Sequence, residues 1–337
     1  MAKKQLSNSA FLKRVKDTIK HYDMLHEGDR VLVAVSGGPD SVGLLGALYE
    51  MRKNLGIEII VGNLDHGIRG KESRRDSELV ELLSKKLGLL FVHGRINLRS
   101  RAGGKKSLEE KAREERYSFL LRSARKNKCN VIATAHTLDD QAETVLMRVI
   151  TGSSAAGLAG IPPVRNEEAV RIIRPFVRIS KKDILAYIEK AGMKYAHDRT
   201  NLDVKIRRNW IRLEVIPFLE KVNPRVKRSL VNLADAVRED LMVSKREEAD
   251  AFSRHMKEKK SAVSINLADI MLQPRAVRKA MFKESVRRAG GNIKKLTYRH
   301  WMDMDLLLRA GKKGKALDLP GKIQVTRTNH EIVFSKR

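Results

Sequence analysis

Residues 31–41 constrain this chain more than any other stretch. A short apolar run, Val31-Leu32-Val33-Ala34-Val35, stops at Ser36-Gly37-Gly38-Pro39-Asp40-Ser41, and a helical pattern follows over residues 41–53. A strand that turns through two glycines into a helix presents free backbone N–H groups at a helix N-terminus. Adjacent glycines let that backbone approach a phosphate closely, and Ser36 and Ser41 add hydroxyl donors. No Gly-Lys-Ser/Thr follows, so this is not the loop of ordinary P-loop ATPases. Taken alone, the hexapeptide also suits a tight strand-to-helix turn closed by a serine cap.

The alternation continues downstream. Strand patterns cover residues 57–64, 89–93, 131–135 and 171–174. Helical patterns lie between and after them. One opens at Ser73 with Asp76 and runs to Gly88, and one opens with the Ser107/Glu110 capping pair and runs to Arg125. A third opens at Thr137 with Asp140 and runs to about residue 150, and a fourth covers residues 181–191. Strand and helix in turn with short connections predict an α/β fold with a doubly wound parallel sheet. Residues 95–106 and 152–157 read as irregular loops. Residues 1–215 are therefore expected to form a catalytic domain, 216–260 a charged helical connector, and 261–337 a small α+β domain. That last part should hold helices at 275–289 and 297–310 and strands at 323–328 and 332–335.

In such sheets ligands sit beyond the carboxyl ends of the strands. Ser36, Asp65 and His136 each follow a predicted strand end, so topology brings three distant segments to one edge. His136, Asp140 and Glu143 are spaced four and three apart, which places them on one face if all are helical. Two carboxylates on one face suit an ammonium group. Equally, Asp140 suits a helix cap, Glu143 a solvated charge, and His136 a hydrogen-bonded core position.

Composition narrows the partners. The chain has 337 residues, 69 basic and 40 acidic, for a net charge of +29. Residues 205–337 hold 32 basic and 15 acidic side chains, against 37 and 25 in residues 1–204, so positive charge is densest in the C-terminal part. An excess of this size points to a polyanion. Arg95, Arg99, Arg101, Lys105 and Lys106 suit either a solvated loop or RNA phosphate contact; the basic C-terminal residues share that choice one by one, and collectively they favour RNA binding. No apolar run is long enough for a membrane span or a signal peptide. Cys129 is the single cysteine, which excludes an internal disulfide, a thiol relay or a cysteine-ligated iron–sulfur centre within the chain. A reducing, cytoplasmic setting is expected.

Ser36–Ser41 resembles the signature of the PP-loop ATP pyrophosphatases. Four further segments narrow the resemblance to the tRNA(Ile)-lysidine synthetase family and extend it along nearly the whole chain. They are Asp65-His66-Gly67-Ile68-Arg69, Arg113-Glu114-Glu115-Arg116-Tyr117, residues 133–144 around His136, and Arg207-Arg208-Asn209-Trp210-Ile211-Arg212. The resemblance implies ATP and Mg2+ as cofactors, and free L-lysine and a tRNA(Ile) with a CAU anticodon as substrates. ATP would adenylate the carbon-2 oxygen of the wobble cytidine, and the lysine side-chain amine would then displace AMP. It implies nucleotide contacts from Ser36, Gly37, Gly38, Pro39, Asp40, Ser41, His66 and His136. Asp40, Arg116 and Arg208 take catalytic roles, and Asp140 and Glu143 bind the lysine. The Mg2+ is expected to sit largely on phosphates and water, without a protein ligand set. Longer members carry an additional C-terminal domain, for which this chain has little room.

Overall fold

The computed structural model describes residues 2–65, 67, 71–96, 108–196, 207–259, 262–309 and 315–337. The expectations for His66, Arg99, Arg101, Lys105, Lys106 and Ser107 concern positions outside them. The chain forms two compact units, Met1–Val237 and Arg238–Arg337.

The first unit contains α1 (Ala2–His21), β1 (Arg30–Ala34), α2 (Pro39–Leu55), β2 (Glu58–Asp65), α3 (Lys71–Leu87), β3 (Leu90–Arg95), α4 (Leu108–Lys126) and β4 (Val131–Ala133). It continues with α5 (Leu138–Ile150), α6 (Ala155–Leu158), β5 (Val164–Glu167), β6 (Val170–Ile173), α7 (Lys181–Lys190), α8 (Arg207–Trp210), a π-helical turn at Ile211–Val215 and α9 (Ile216–Val222). The division between the units falls inside α10 (Val226–His255).

The sheet runs β3-β2-β1-β4-β6-β5. All pairings are parallel except that of β5 with β6. Strand burial explains why the strands read as unbroken apolar runs. Val31 and Val33 pack into one cluster with α1, α2, α3 and α7, while Leu32 packs into another with Ile60, Ile132 and Leu120 of α4. Both faces are covered, as a parallel sheet requires. Leu32 is fully buried, so Leu32→Ala would cost roughly 2–5 kcal/mol through lost burial and the cavity left behind. Gly43 lets α2 approach α7: a Cβ there would stand 2.8 Å from the Ile184 Cγ2 atom.

Several expectations need correction. α3 begins at Lys71, so Ser73 lies within its first turn, where its backbone carbonyl accepts from the Ser77 hydroxyl, and it does not cap the helix. Residues 152–157 are not wholly irregular, because α6 starts at Ala155. His136 precedes the Thr137 cap of α5, so only Asp140 and Glu143 share its helical face. The strand expected at 171–174 is β6, but its antiparallel partner β5 and the helix α1 were not expected from the sequence. β5, Val-Arg-Asn-Glu, is a short polar edge strand, and such edges carry no apolar period.

The second unit contains β7 (Met256–Lys259), β8 (Ala262–Asn266), α11 (Leu267–Leu272), α12 (Arg275–Arg288), α13 (Tyr298–Arg309), β9 (Ala316–Leu319), β10 (Ile323–Arg327) and β11 (Glu331–Lys336). Its antiparallel sheet runs β7-β8-β11-β10-β9. The inward residues Val263, Ile265, Val325, Ile332 and Phe334 pack on Met281, Phe282, Met304 and Leu308 of the helices. Two strands were expected in residues 261–337; among the described residues that stretch holds four, and β7 ends the part expected as a helical connector. The additional strands lie next to turns or helix starts, where alternation is too short to read.

Candidate active site

Because β1, β2, β4 and β6 are parallel, their carboxyl ends share one edge of the sheet. Ser36, Asp65, His136 and Arg174 stand at those ends. β1 lies between β2 and β4, with α2 and α4 on opposite faces, so this edge contains the topological switch point.

The Ser36–Ser41 loop is held by its own hydroxyls. Ser41 Oγ accepts from the Ser36 N–H at 3.1 Å and donates to the Gly38 carbonyl at 2.9 Å. The Ser36 and Ser41 hydroxyls are 3.1 Å apart. Gly37 has φ +93°, and a Cβ there would meet the Asp76 carbonyl at 3.3 Å. Only glycine adopts that turn without strain. Gly38 occupies the N-cap position without a side-chain cap and Pro39 opens α2, so the first N–H groups of the helix point into the crevice edge unclaimed by a capping side chain. Behind the loop, Asn63 Nδ2 donates to the Val35 carbonyl at 2.8 Å, and His93 Nδ1 lies 3.0 Å from Asn63 Oδ1. The Ala196 N–H donates to the Gly37 carbonyl at 2.9 Å, which ties the segment after α7 to the loop.

A compact charge network adjoins it at the start of α5. Thr137 and Asp140 form a reciprocal capping box: the Asp140 N–H donates to Thr137 Oγ1 and the Thr137 N–H to Asp140 Oδ2. Arg208 Nη2 donates to Asp140 Oδ1 at 3.0 Å and Arg208 Nε to Glu143 Oε2 at 2.7 Å. Arg212 grips Glu143 with two donors, Nε to Oε1 at 2.6 Å and Nη2 to Oε2 at 3.0 Å. Glu143 is 1% exposed, so it is a buried carboxylate balanced by two guanidinium groups. Lys181 Nζ bridges Asp40 at 3.8 Å and Asp140 at 3.6 Å. Asp139 accepts from the Lys181 N–H and pairs with Lys227.

The electrostatics differ from group to group. Burial pushes the Asp40 carboxyl up to about 6, with Lys181 opposing and Asp140 and Asp139 adding to the rise. Burial would also raise Asp140, but Lys181, Arg208 and the Thr137 N–H more than offset it and hold that carboxyl at about 2. His136 is driven down to about 3, first by burial and then by Arg174, so its ring is neutral at physiological pH. Its Nδ1 lies 3.1 Å from Thr134 Oγ1.

The edge thus gathers Ser36–Ser41, Asp40, His136, Asp140, Glu143 and Arg208 from the sequence-based set. Arg116 is exposed on α4, whereas Arg113 of the same helix lies over the Tyr117 ring. Arg95 pairs with Asp65 at 3.4 Å. Lys181, Arg212 and Arg174 were not among the candidates. Lys181 had no signal beyond opening a helix, and Arg212 stood in a quoted motif without a role. Arg174 ended a predicted strand at the ligand-binding edge, which was a usable signal. Among the described residues, no group of three or more His, Cys, Asp or Glu side chains is placed to hold a metal ion. Asp40, in the loop at the first turn of α2, fits an ion held mainly by nucleotide phosphates and water.

Residues 7–219 match the family model described as a PP-loop domain. The chain is 32% identical to the tRNA(Ile)-lysidine synthase of Geobacter sulfurreducens over 97% of its own length and 69% of that protein's. This chain belongs to the tRNA(Ile)-lysidine synthase family. It is also 33% identical to the Clostridioides difficile protein of that name, covering 96% of this chain and 70% of the other, and 42% identical over 68% of its length to 48% of the Symbiobacterium thermophilum protein. Among solved structures, the U34-tRNA thiolase NcsA from Methanococcus maripaludis is similar, with a TM-score of 0.58 over 69% of this chain and 80% of that one. At 22% identity that similarity is one of fold. The family's PP-loop domain implies use of ATP. No described helix is long and apolar enough to cross a membrane.

Proposed function

We propose that this chain ligates lysine to carbon 2 of the wobble cytidine of a tRNA(Ile) with a CAU anticodon, with release of AMP and pyrophosphate. The observation that carries this reading is the paired arrangement at one sheet edge: a glycine loop opening α2, and beside it two carboxylates on one face of α5.

In the first step the cytidine carbon-2 oxygen attacks the α-phosphorus of ATP, and pyrophosphate leaves. The Ser36–Ser41 amides and hydroxyls cradle the phosphates, and an Mg2+ beside Asp40 would neutralise their charge. Arg208 and Arg116 are proposed to face the negative charge that builds at the transferred phosphoryl group, a task suited to a rigid, always charged fork. In the second step the lysine side-chain amine attacks carbon 2, and AMP leaves with the electron pair of the broken carbon–oxygen bond. Asp140 and Glu143 are proposed to receive the lysine. Both already carry arginine, so Arg208, which touches both, would have to release at least one of them. Freed from Asp140, it would be available to the phosphoryl group. The basic second unit is proposed to bind the body of the tRNA.

Incubating the protein with labelled ATP, lysine and the tRNA transcript tests this directly. The expected result is AMP, pyrophosphate and a lysine-bearing tRNA. ADP as the main product, or unchanged tRNA with lysine present, would overturn it.

A further inference from the structure

Arg174 follows β6 directly and is 1% exposed. An ion buried this fully is strongly disfavoured unless it is paired, and a buried guanidinium ordinarily meets a carboxylate. Among the described residues Arg174 meets none. Its Nη1 donates to the Pro162 carbonyl at 2.5 Å and its Nη2 to Tyr117 Oη at 3.3 Å. Its Nε is buried with no acceptor.

Two more guanidinium groups converge on the same phenol. The Arg113 carbon Cζ lies 5.2 Å from the Tyr117 ring centroid, and that of Arg165 lies 5.0 Å from it. Glu167, 2.9 Å from Arg165 Nε, is the single carboxylate paired with any of the three among the described residues. Three positive groups therefore stand against one negative group. His136 cannot balance them, since its neutral ring carries no charge. Burial would raise the Tyr117 hydroxyl, but Arg174 and Arg113 more than reverse this and lower it, which makes it a stronger hydrogen-bond donor. Having accepted from Arg174, that hydroxyl still has its own proton to give.

We propose that Arg113, Arg165 and Arg174, with the Tyr117 hydroxyl, form a phosphate-binding site separate from the Ser36–Ser41 loop. The strand order β1-β4-β6 sets the end of β6 two strand spacings from the end of β1, about 10 Å across the sheet edge. The loop and this cluster therefore bind different phosphate groups. Resting on the RNA-modifying reading above, the ligand is a phosphodiester flanking the nucleotide presented at the edge. Pyrophosphate supplies the same chemistry from a second source. Arg113 and Arg165 reach the anion, and Arg174 holds the field and fixes the phenol beneath it.

The test uses the full chain and the Arg113→Gln/Arg165→Gln double variant, whose side chains lie at or near the surface. Tyr117→Phe serves as a second variant that keeps the ring. The probes are an anticodon stem-loop RNA, inorganic pyrophosphate and ATP, each titrated at several salt concentrations. In the double variant RNA affinity should fall about tenfold or more, with the log–log salt slope flattened by about one unit per lost contact, while ATP affinity holds. Tyr117→Phe should weaken RNA binding less and leave the salt slope as it was. Weakened pyrophosphate binding with intact RNA binding would uphold the site and assign it to the second source. Unchanged affinity for both would overturn it. Loss of lysine ligation by the unaltered protein would instead overturn the proposed function, so the two failures are distinguishable.

Discussion

Burial holds the Asp40 carboxyl at about 6 although Lys181 stands 3.8 Å away. In the unfolded chain an aspartate titrates at about 3.9. Between those pH values the native state binds more protons, so stability is full below the lower value and falls as pH rises through 6. Asp40→Asn should therefore raise the melting temperature more at pH 8 than at pH 5, with a gain of up to about 3 kcal/mol, and should lose ATP-dependent activity. Equal shifts at both pH values would refute the burial argument. Asp140 behaves in the opposite sense. Its carboxyl is held at about 2, so its stabilisation is present at neutral pH and is lost as the pH drops below the ordinary carboxylate range. Glu143 is the costliest of the three to alter, since both of its oxygens accept from arginine. Glu143→Ala should destabilise by up to about 3 kcal/mol, because it removes a buried carboxylate and leaves two half-buried guanidinium groups without their partner, which solvent relieves in part. A urea titration measures this, and a loss under 1 kcal/mol would mean that Arg208 and Arg212 find other partners.

At the scale of the element, α5 connects the network to the rest of the unit. Its Thr137 cap fixes Asp140, while Asp139 on the neighbouring face receives the α7 N-terminus and Lys227 of α10. The π-helical turn at Ile211–Val215 follows α8 directly and carries Arg212 onto Glu143. Widened turns of this kind recur at functional sites because they re-aim a side chain without ending the helix. Removing the cap should cost stability and aim together. Thr137→Ala is expected to lower stability by about 1–2 kcal/mol. It should also reduce lysine-dependent product more than ATP-dependent adenylation of the tRNA, as single-turnover assays of the two half-reactions would show. Equal loss in both would place Asp140 in general architecture.

At the scale of the whole molecule, chemistry and grip are proposed to be divided between the units. The pairing of β7 with β8 identifies where a cut can be made. A truncation at residue 261 would split that hairpin, and one after Val237 would divide α10. Ending the chain after His255 keeps the helix and removes the antiparallel sheet entirely. Phosphate contacts supply affinity and orientation with little base reading. The shortened chain should therefore bind tRNA more weakly and with a flatter salt dependence, by about one log–log unit per lost contact, and should still bind ATP. Circular dichroism checks that it is folded. A folded truncation with undiminished tRNA affinity would return RNA binding to the first unit alone.

The sequence by itself determined the features whose cause is local. The apolar runs at β1, β2 and β4 follow from burial on both faces, the Ser36–Ser41 turn from glycine's freedom at Gly37, and the start of α5 from the Thr137/Asp140 cap. Each depends on residues within a few positions of one another. Convergence of the strand ends was legible too, because a parallel sheet leaves its loops little choice of edge. Tertiary structure alone decided which charges meet. Arg212 reaches Glu143 across 69 residues of chain, and Lys181 sits between Asp40 and Asp140. No periodicity separates Lys181 from Lys182, or Arg113 from Arg116, when all four are charged positions on helices. Their partners are set by helix register and by how the loops return the chain to the sheet edge, and both are products of packing across the whole unit.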